Sequence, residues 1–182
     1  HYRRRPRRPD GAPDRRRRRR VSEARLRPCR PDDTPALITV FRDSVRLSPA
    51  YPAAVRHAWA PDDIDTAAWN DRQTRHWTHV AVDADDRPLG FIELAGGAPA
   101  GHVDMLFVAP AAQGQGLAGA LLAAAETAAR ATGMTRLTTE ASHAARPVFH
   151  RAGFRTLYPR TLWRAGQWLH NTAMAKDLAE DP

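Results

Sequence analysis

The stretch Val108-Ala109-Pro110-Ala111-Ala112-Gln113-Gly114-Gln115-Gly116-Leu117-Ala118-Gly119 decides how the rest of the chain reads. An apolar strand, Val103 to Val108, runs into it, and a long alanine- and leucine-rich helix leaves it. Gly114, Gly116 and Gly119 permit backbone conformations that a Cβ forbids and let a ligand approach the main chain closely. The N–H groups of a first helical turn lack intrahelical acceptors and sit at the positive end of the helix dipole. Strand, glycine bend and helix N-terminus together predict a site for a phosphate or pyrophosphate.

Upstream of this loop the apolar period is two. Trp77–Val82, Leu89–Leu94 and His102–Val108 read as three strands, joined by the turn cluster Asp83–Pro88 and the small-residue loop Ala95–Gly101. Short connections between consecutive strands imply an antiparallel meander. Before the meander, Glu23–Cys29 reads as a short strand. Leu37, Ile38, Phe41 and Val45 form a helical stripe, with Thr34 as its cap and Pro35 in its first position. Further helical pieces are expected over Pro52–Ala58 and from Pro61 through Trp69. Tyr51, Trp59 and Trp69 on these pieces either line an acceptor wall or simply pack the core.

Downstream, the helix from Gln115 to Thr132 puts Ala118, Leu121, Leu122, Ala125 and Ala129 on one face, and Gly133 stops it. The strand Arg136–Glu140 follows through a helical crossover and is therefore expected parallel to His102–Val108. A short helix, Ala144–Ala152, and two strands around the turn Arg164-Ala165-Gly166 complete the chain. Trp163 and Trp168 on that last pair fit an acceptor wall, a homodimer contact or packing at a sheet end.

The chain has 182 residues, with 28 Lys and Arg against 20 Asp and Glu. The formal charge of +8 is misleading, because residues 1–20 alone hold eleven Arg and two Asp. The remainder is nearly neutral. Residues 1–22 are expected to be a disordered Arg-rich tail, with Val21 a candidate true start, and residues 23–178 the folded domain. Polyarginine binds phosphate nonspecifically, so specific nucleic-acid binding is not expected. No apolar run reaches the length of about 20 residues that spans a membrane. Cys29 is the single cysteine; it is expected as a core residue in a reducing, cytoplasmic setting.

Two motifs, in this order and spacing, give the chain its resemblance to the GNAT superfamily of N-acetyltransferases over about residues 24–178. One is Gln113-Gly114-Gln115-Gly116-Leu117-Ala118 after the strand end. The other is Ala145-Arg146-Pro147-Val148-Phe149-His150-Arg151-Ala152-Gly153-Phe154. The resemblance implies an α/β (α+β) fold with a mixed, mostly antiparallel sheet of six to seven strands flanked by helices. It implies acetyl-CoA as co-substrate, wedged between the fourth and fifth strands, and no metal. Backbone groups of Leu106, Phe107 and Val108 would hold the pantetheine arm. Gln113, Gly114, Gln115, Gly116, Leu117, Ala118 and Gly119 would hold the pyrophosphate.

The implied reaction is direct attack by a primary amine of a small molecule or peptide on the thioester, in a ternary complex. It needs a base for the amine and a proton for the leaving thiolate. In several relatives the positions matching His102 and Asp104 supply the base or its helpers, and simple alternation puts both, with Leu106 and Val108, on one side of the strand. Histidine as a type titrates near neutrality; His102 is either the base or a solvated residue at the strand mouth. An aspartate inside an apolar strand needs a partner or a task. Glu93 and Glu140 are the weaker candidates. Where the resemblance expects a tyrosine acid the chain has Phe149, which donates no proton, and where it expects an asparagine the chain has Ser142. That departure leaves a non-catalytic acyl-CoA-binding regulatory module as the alternative.

Overall fold

In the computed structural model, residues 23–178 are described; the arginine-rich stretch 1–22, with the tail and start site expected there, lies outside the described residues. The elements in chain order are β1 (Arg25–Pro28), α1 (Thr34–Arg46), α2 (Ala53–Trp59), α3 (Thr66–Arg75), β2 (Trp77–Val82), β3 (Pro88–Gly97) and β4 (Ala100–Val108). The chain continues with α4 (Leu117–Ala131), β5 (Arg136–Ala141), α5 (Arg146–Arg151), β6 (Arg155–Arg164) and β7 (Gln167–Asp177). The strands form one seven-stranded sheet in the order β1-β2-β3-β4-β5-β7-β6. Every neighbouring pair is antiparallel except β4 and β5, which the α4 crossover makes parallel.

Local chemistry accounts for most boundaries. Asp83 Oδ1 accepts the N–H groups of Asp85 and Arg87, which tightens the β2–β3 turn. Ala165 and Gly166 both take left-handed backbone (φ 47° and 74°), as a two-residue hairpin turn between β6 and β7 requires. The segment Ala95–Gly101 is mostly strand rather than loop. Gly96 and Gly97 pair with Gly101 and Ala100, so only Ala98 and Pro99 turn. Small residues carry no period-two pattern, yet nothing in them opposes pairing. Thr34 does not cap α1; its hydroxyl donates to Gln73 Oε1 on α3 at 2.9 Å. The third helix starts at Thr66 rather than Pro61, because Asp65 Oδ1 caps it through the Ala68 N–H at 3.0 Å.

Two apolar layers sandwich the sheet. On one face Leu121, Leu122, Ala125 and Ala129 of α4 pack on Ile92, Leu94, Val103 and Leu137. On the other, Leu37, Ile38, Phe41 and Val45 of α1 pack with Trp69 on Val80, Val82 and Phe91. Burying a Leu, Ile or Phe side chain contributes roughly 1.5–3 kcal/mol, so these two layers fix the helices against the sheet.

At the outer edge, β1 is held by charge as well as by its ladder. Arg27 and Asp33 form a nearly buried bidentate pair, with N–O distances of 2.7 and 2.8 Å. Asp86 on the β2–β3 turn accepts from Arg25, Arg27 and Arg30. Burial pushes the Asp33 carboxyl up, but the Arg27 guanidinium and the Arg30 N–H outweigh it and hold the group below the usual carboxylate range. A lowered carboxylate stabilises the fold above the unfolded value, about pH 4, and loses that contribution as pH falls through the folded value. Asp33→Asn is therefore expected to cost about 1–3 kcal/mol at pH 7, and the gap from the parent should shrink below about pH 4. Urea midpoints at pH 7 and pH 3 check this; a gap that stayed constant with pH would count against the pair.

Candidate active site

A cleft opens where β4 and β5 part. They pair only over Ala100–Val103 and Arg136–Thr139. Thr139 Oγ1 closes that paired end by donating to Val103 O at 2.9 Å. Beyond it lies a cavity of about 1310 Å³, walled by Asp104–Val108 of β4, by Glu140–Ser142 after the pairing ends, and by residues of the glycine-rich loop.

The split begins at an irregularity in β4. The β3–β4 register shifts between Glu93 and Leu94: Glu93 pairs with Met105 while Leu94 pairs with Val103, which leaves Asp104 as an extra residue. Such a bulge bends a strand and re-aims a side chain. It also breaks the alternation expected along β4. Val103, Leu106 and Val108 belong to the layer under α4, and Met105 and Phe107 to the layer under α1. Asp104 faces the cleft, exposed, beside the first residues of the split.

Behind Asp104 lies a charged cluster that the sequence ranked low. Glu93 is fully buried. Its Oε1 accepts from His76 Nδ1 at 2.6 Å and lies 2.8 Å from Arg72 Nε, an ion pair by distance rather than an aligned hydrogen bond. Its Oε2 has no hydrogen-bond partner among the described residues. The Arg72 guanidinium stacks 4.8 Å over Trp69 and donates to Met105 Sδ at 3.0 Å. Donor atoms of His76, Glu93 and Asp104 all lie within 4.8 Å of one another. Three such groups also suit a cation, but Arg72 already places a positive charge on Glu93. The signal for Glu93 was present in Phe-Ile-Glu-Leu: a carboxylate in an apolar strand must find partners.

The far end of the cleft is the glycine-rich loop. Gly114 and Gly116 adopt left-handed backbone (φ 74° and 85°), and a Cβ on either would project into open space. No side chain caps α4, and the first intrahelical donor is Ala120 N, on Gly116 O at 3.0 Å. The N–H groups of Leu117, Ala118 and Gly119 are left without i−4 acceptors. Leu117 buries its side chain in the core, so it offers only its backbone. Gln113 Nε2 donates to Val108 O at 2.9 Å and braces the loop against the end of β4.

The structure brings together most of the expected site residues. Leu106, Phe107, Val108, Gln113, Gly114, Gly116, Leu117, Ala118 and Gly119 all line the cleft with Asp104, whereas Gln115 does not. His102 does not line it either. It sits at the paired end of β4, where its Nδ1 bonds Thr138 Oγ1 at 2.8 Å. Tyr51, Trp59 and Trp69 line the opposite wall, and Tyr51 and Trp59 also pack edge-on at 5.1 Å. Trp163 and Trp168 do not reach the cleft; they stand exposed near the end of the β6–β7 hairpin, 4.9 Å apart edge-on. Glu140, across the split from Asp104, is paired with Arg160. Phe149 is buried against Phe154 at 5.1 Å. Cys29 is half-buried, and burial pushes its thiol up to about 11, which suits a packing residue rather than a nucleophile.

A sheet split after its fourth strand, with a glycine loop and an uncapped helix at one end and a carboxylate at the other, defines an acyl-transferase type of site. The acetyltransferase (GNAT) domain family matches residues 46–178, and the chain belongs to that family of acetyltransferase enzymes. It is 29% identical over 156 residues to an uncharacterized N-acetyltransferase of Escherichia coli K12, YafP, a match covering 85% of this chain and 96% of that one. A crystal structure of a GCN5-related N-acetyltransferase from Rhodopseudomonas palustris is 33% identical, with a TM-score of 0.78 over 85% of this chain and 95% of that one. The fold is also that of yncA, a putative acetyltransferase from Salmonella typhimurium solved with its cofactor acetyl-CoA, at 21% identity and a TM-score of 0.67, covering 87% of this chain and 96% of that one.

Glu93→Ala leaves the partly exposed Arg72 and His76 without their shared acceptor. It should destabilise the fold by about 1–3 kcal/mol, while Asp104→Ala, exposed at the cleft, should leave the urea midpoint nearly unchanged. Equal destabilisation by both would contradict the division between a buried anchor and an exposed cleft residue.

Proposed function

We propose that this chain transfers an acetyl group from acetyl-CoA to a primary amine of a small molecule or peptide by direct attack in a ternary complex. The observation that carries this reading is the split itself. β4 and β5 lose their pairing after Val103 and Thr139, and the opening runs between Asp104 and a glycine loop that leads into an uncapped helix N-terminus.

The residues present fit acetyl-CoA. Amides of the Gly114–Gly119 segment would hold the pyrophosphate at the helix N-terminus, and β4 backbone over Leu106–Val108 would hold the pantetheine arm. Acetyl-CoA supplies an activated acyl group as a thioester. Asp104 takes the proton that the attacking amine must lose, with Glu93 and His76 behind it to pass the proton on. His102, bonded to Thr138 outside the cleft, is left out of the role proposed for Asp104. The acceptor enters from the α1–α3 side, where Trp59, Asp63 and Trp69 wall the cleft. An aromatic and acidic wall suits a positively charged amine.

Thiol release from acetyl-CoA in the presence of a primary-amine panel tests the reading. At least one amine should drive turnover; binding of acetyl-CoA without thiol release across a broad panel would favour a non-catalytic acyl-CoA-binding module. Asp104→Ala should lower kcat by about 100-fold, the usual order for a general base, with the affinity for acetyl-CoA nearly intact. Gly116→Val should abolish acetyl-CoA binding, because a β-branched residue is strained at φ 85° and its side chain would stand in the phosphate path. Wild-type affinity in Gly116→Val would contradict the placement of the pyrophosphate.

A further inference from the structure

Release of coenzyme A as a free thiol takes up a proton, and Phe149 has none to give. Phe149 lines the cleft from the middle of α5, with its ring packed edge-on against Phe154. Among the described residues the cleft contains one tyrosine, Tyr51, from the connector between α1 and α2; Tyr158 lies exposed on β6, outside it. Tyr51 is not a simple wall residue. Its Oη accepts the backbone N–H of His143 at 2.6 Å, a contact that spans 92 residues of sequence. Trp59 packs edge-on against its ring at 5.1 Å and fixes the ring plane.

The position of this bond in the split is informative. β4 and β5 run parallel, and the last paired residues are Val103 and Thr139. From there one wall continues through Asp104 toward Val108 and the glycine loop, and the other continues through Glu140 to Ser142 and His143. Tyr51 Oη therefore sits on the wall opposite β4, further along than Asp104 and toward the glycine loop. With the pyrophosphate at that loop and the acyl carbon near Asp104, the sulfur lies on the loop side of the carbonyl. The phenol stands on that side. Because Oη accepts from the backbone, its own hydrogen is available to donate.

We propose, on the strength of the acetyl-transfer reading above, that Tyr51 is the general acid of this enzyme and takes the role that Phe149 cannot fill. Tyr51 gives its hydroxyl proton to the sulfur as the C–S bond breaks and the electron pair moves to sulfur. Water reprotonates the phenolate. The proton lost by the amine on forming the C–N bond leaves through Asp104, so the net products are an amide and a free thiol. The α1–α2 connector thereby contributes a reacting group as well as an acceptor wall.

Tyr51→Phe tests this, since it keeps the ring and its packing on Trp59. The expected result is a kcat lower by about 100-fold, a KM for acetyl-CoA within about twofold of the parent, and loss of the descending alkaline limb that an acid imposes on the pH profile. A kcat within about twofold of the parent overturns the proposal. So does a fall in kcat with the pH profile unchanged in shape, which marks a structural role. The wild-type rate in the same assay separates the two readings. No thiol release from the wild type with any amine overturns acetyl transfer and this role with it; an active wild type with an equally active Tyr51→Phe overturns only the role of Tyr51.

Discussion

Between Glu93 and Leu94 the register of β3 against β4 slips by one residue, and Asp104 is left over. Three consequences follow from that slip. β4 turns away from β5 just beyond Val103, so a slot opens where a longer ladder would have closed the sheet. Met105 and Phe107 change sides and join Phe91 under α1, which keeps that layer filled up to the edge of the slot. Asp104 is aimed at the cleft within 4.8 Å of Glu93 and His76 rather than lost among the apolar residues of the strand. A bulge costs a ladder position; here it leaves Asp104 at the mouth of the split.

The buried carboxylate next to it is held from the helical side. Arg72 and His76 are four residues apart at the end of α3, so both fall on one face of the last turn. Both converge on Glu93 Oε1, and Trp69, one turn earlier, carries the guanidinium on its ring. The early helices thus cover the sheet and also supply the Arg72 charge and the His76 hydrogen bond that make a buried glutamate tolerable.

The loop and most of the fold were legible because their signals are local. Period-two alternation marked β2 and β4, the stripe Leu121, Leu122, Ala125 and Ala129 marked α4, and the closely spaced glycines marked the left-handed turn that leads into that helix. The bulge was not legible. His-Val-Asp-Met-Leu-Phe is compatible with a straight strand, and the slip pairs Leu94 with Val103 in the layer under α4. The same blindness ranked His102 beside Asp104, although its partner Thr138 lies on β5, 36 residues away. Glu93 was visible as a charge inside an apolar strand and Tyr51 only as a wall or core residue, because their partners come from other elements, at 17 and 92 residues' separation. Sequence spacing identifies residues on one face of an element; it does not say which element that face will meet.

Acetyl-CoA is proposed to bind in the split between β4 and β5, from Asp104 to the glycine loop. Amide hydrogen exchange with and without saturating acetyl-CoA reads this out. New protection is expected only at residues 104–108 of β4 and 114–119 of the loop, with β1 and the β6–β7 hairpin unchanged. Protection elsewhere, with exchange at Gly114–Gly119 unaffected by a bound acetyl-CoA, would contradict it.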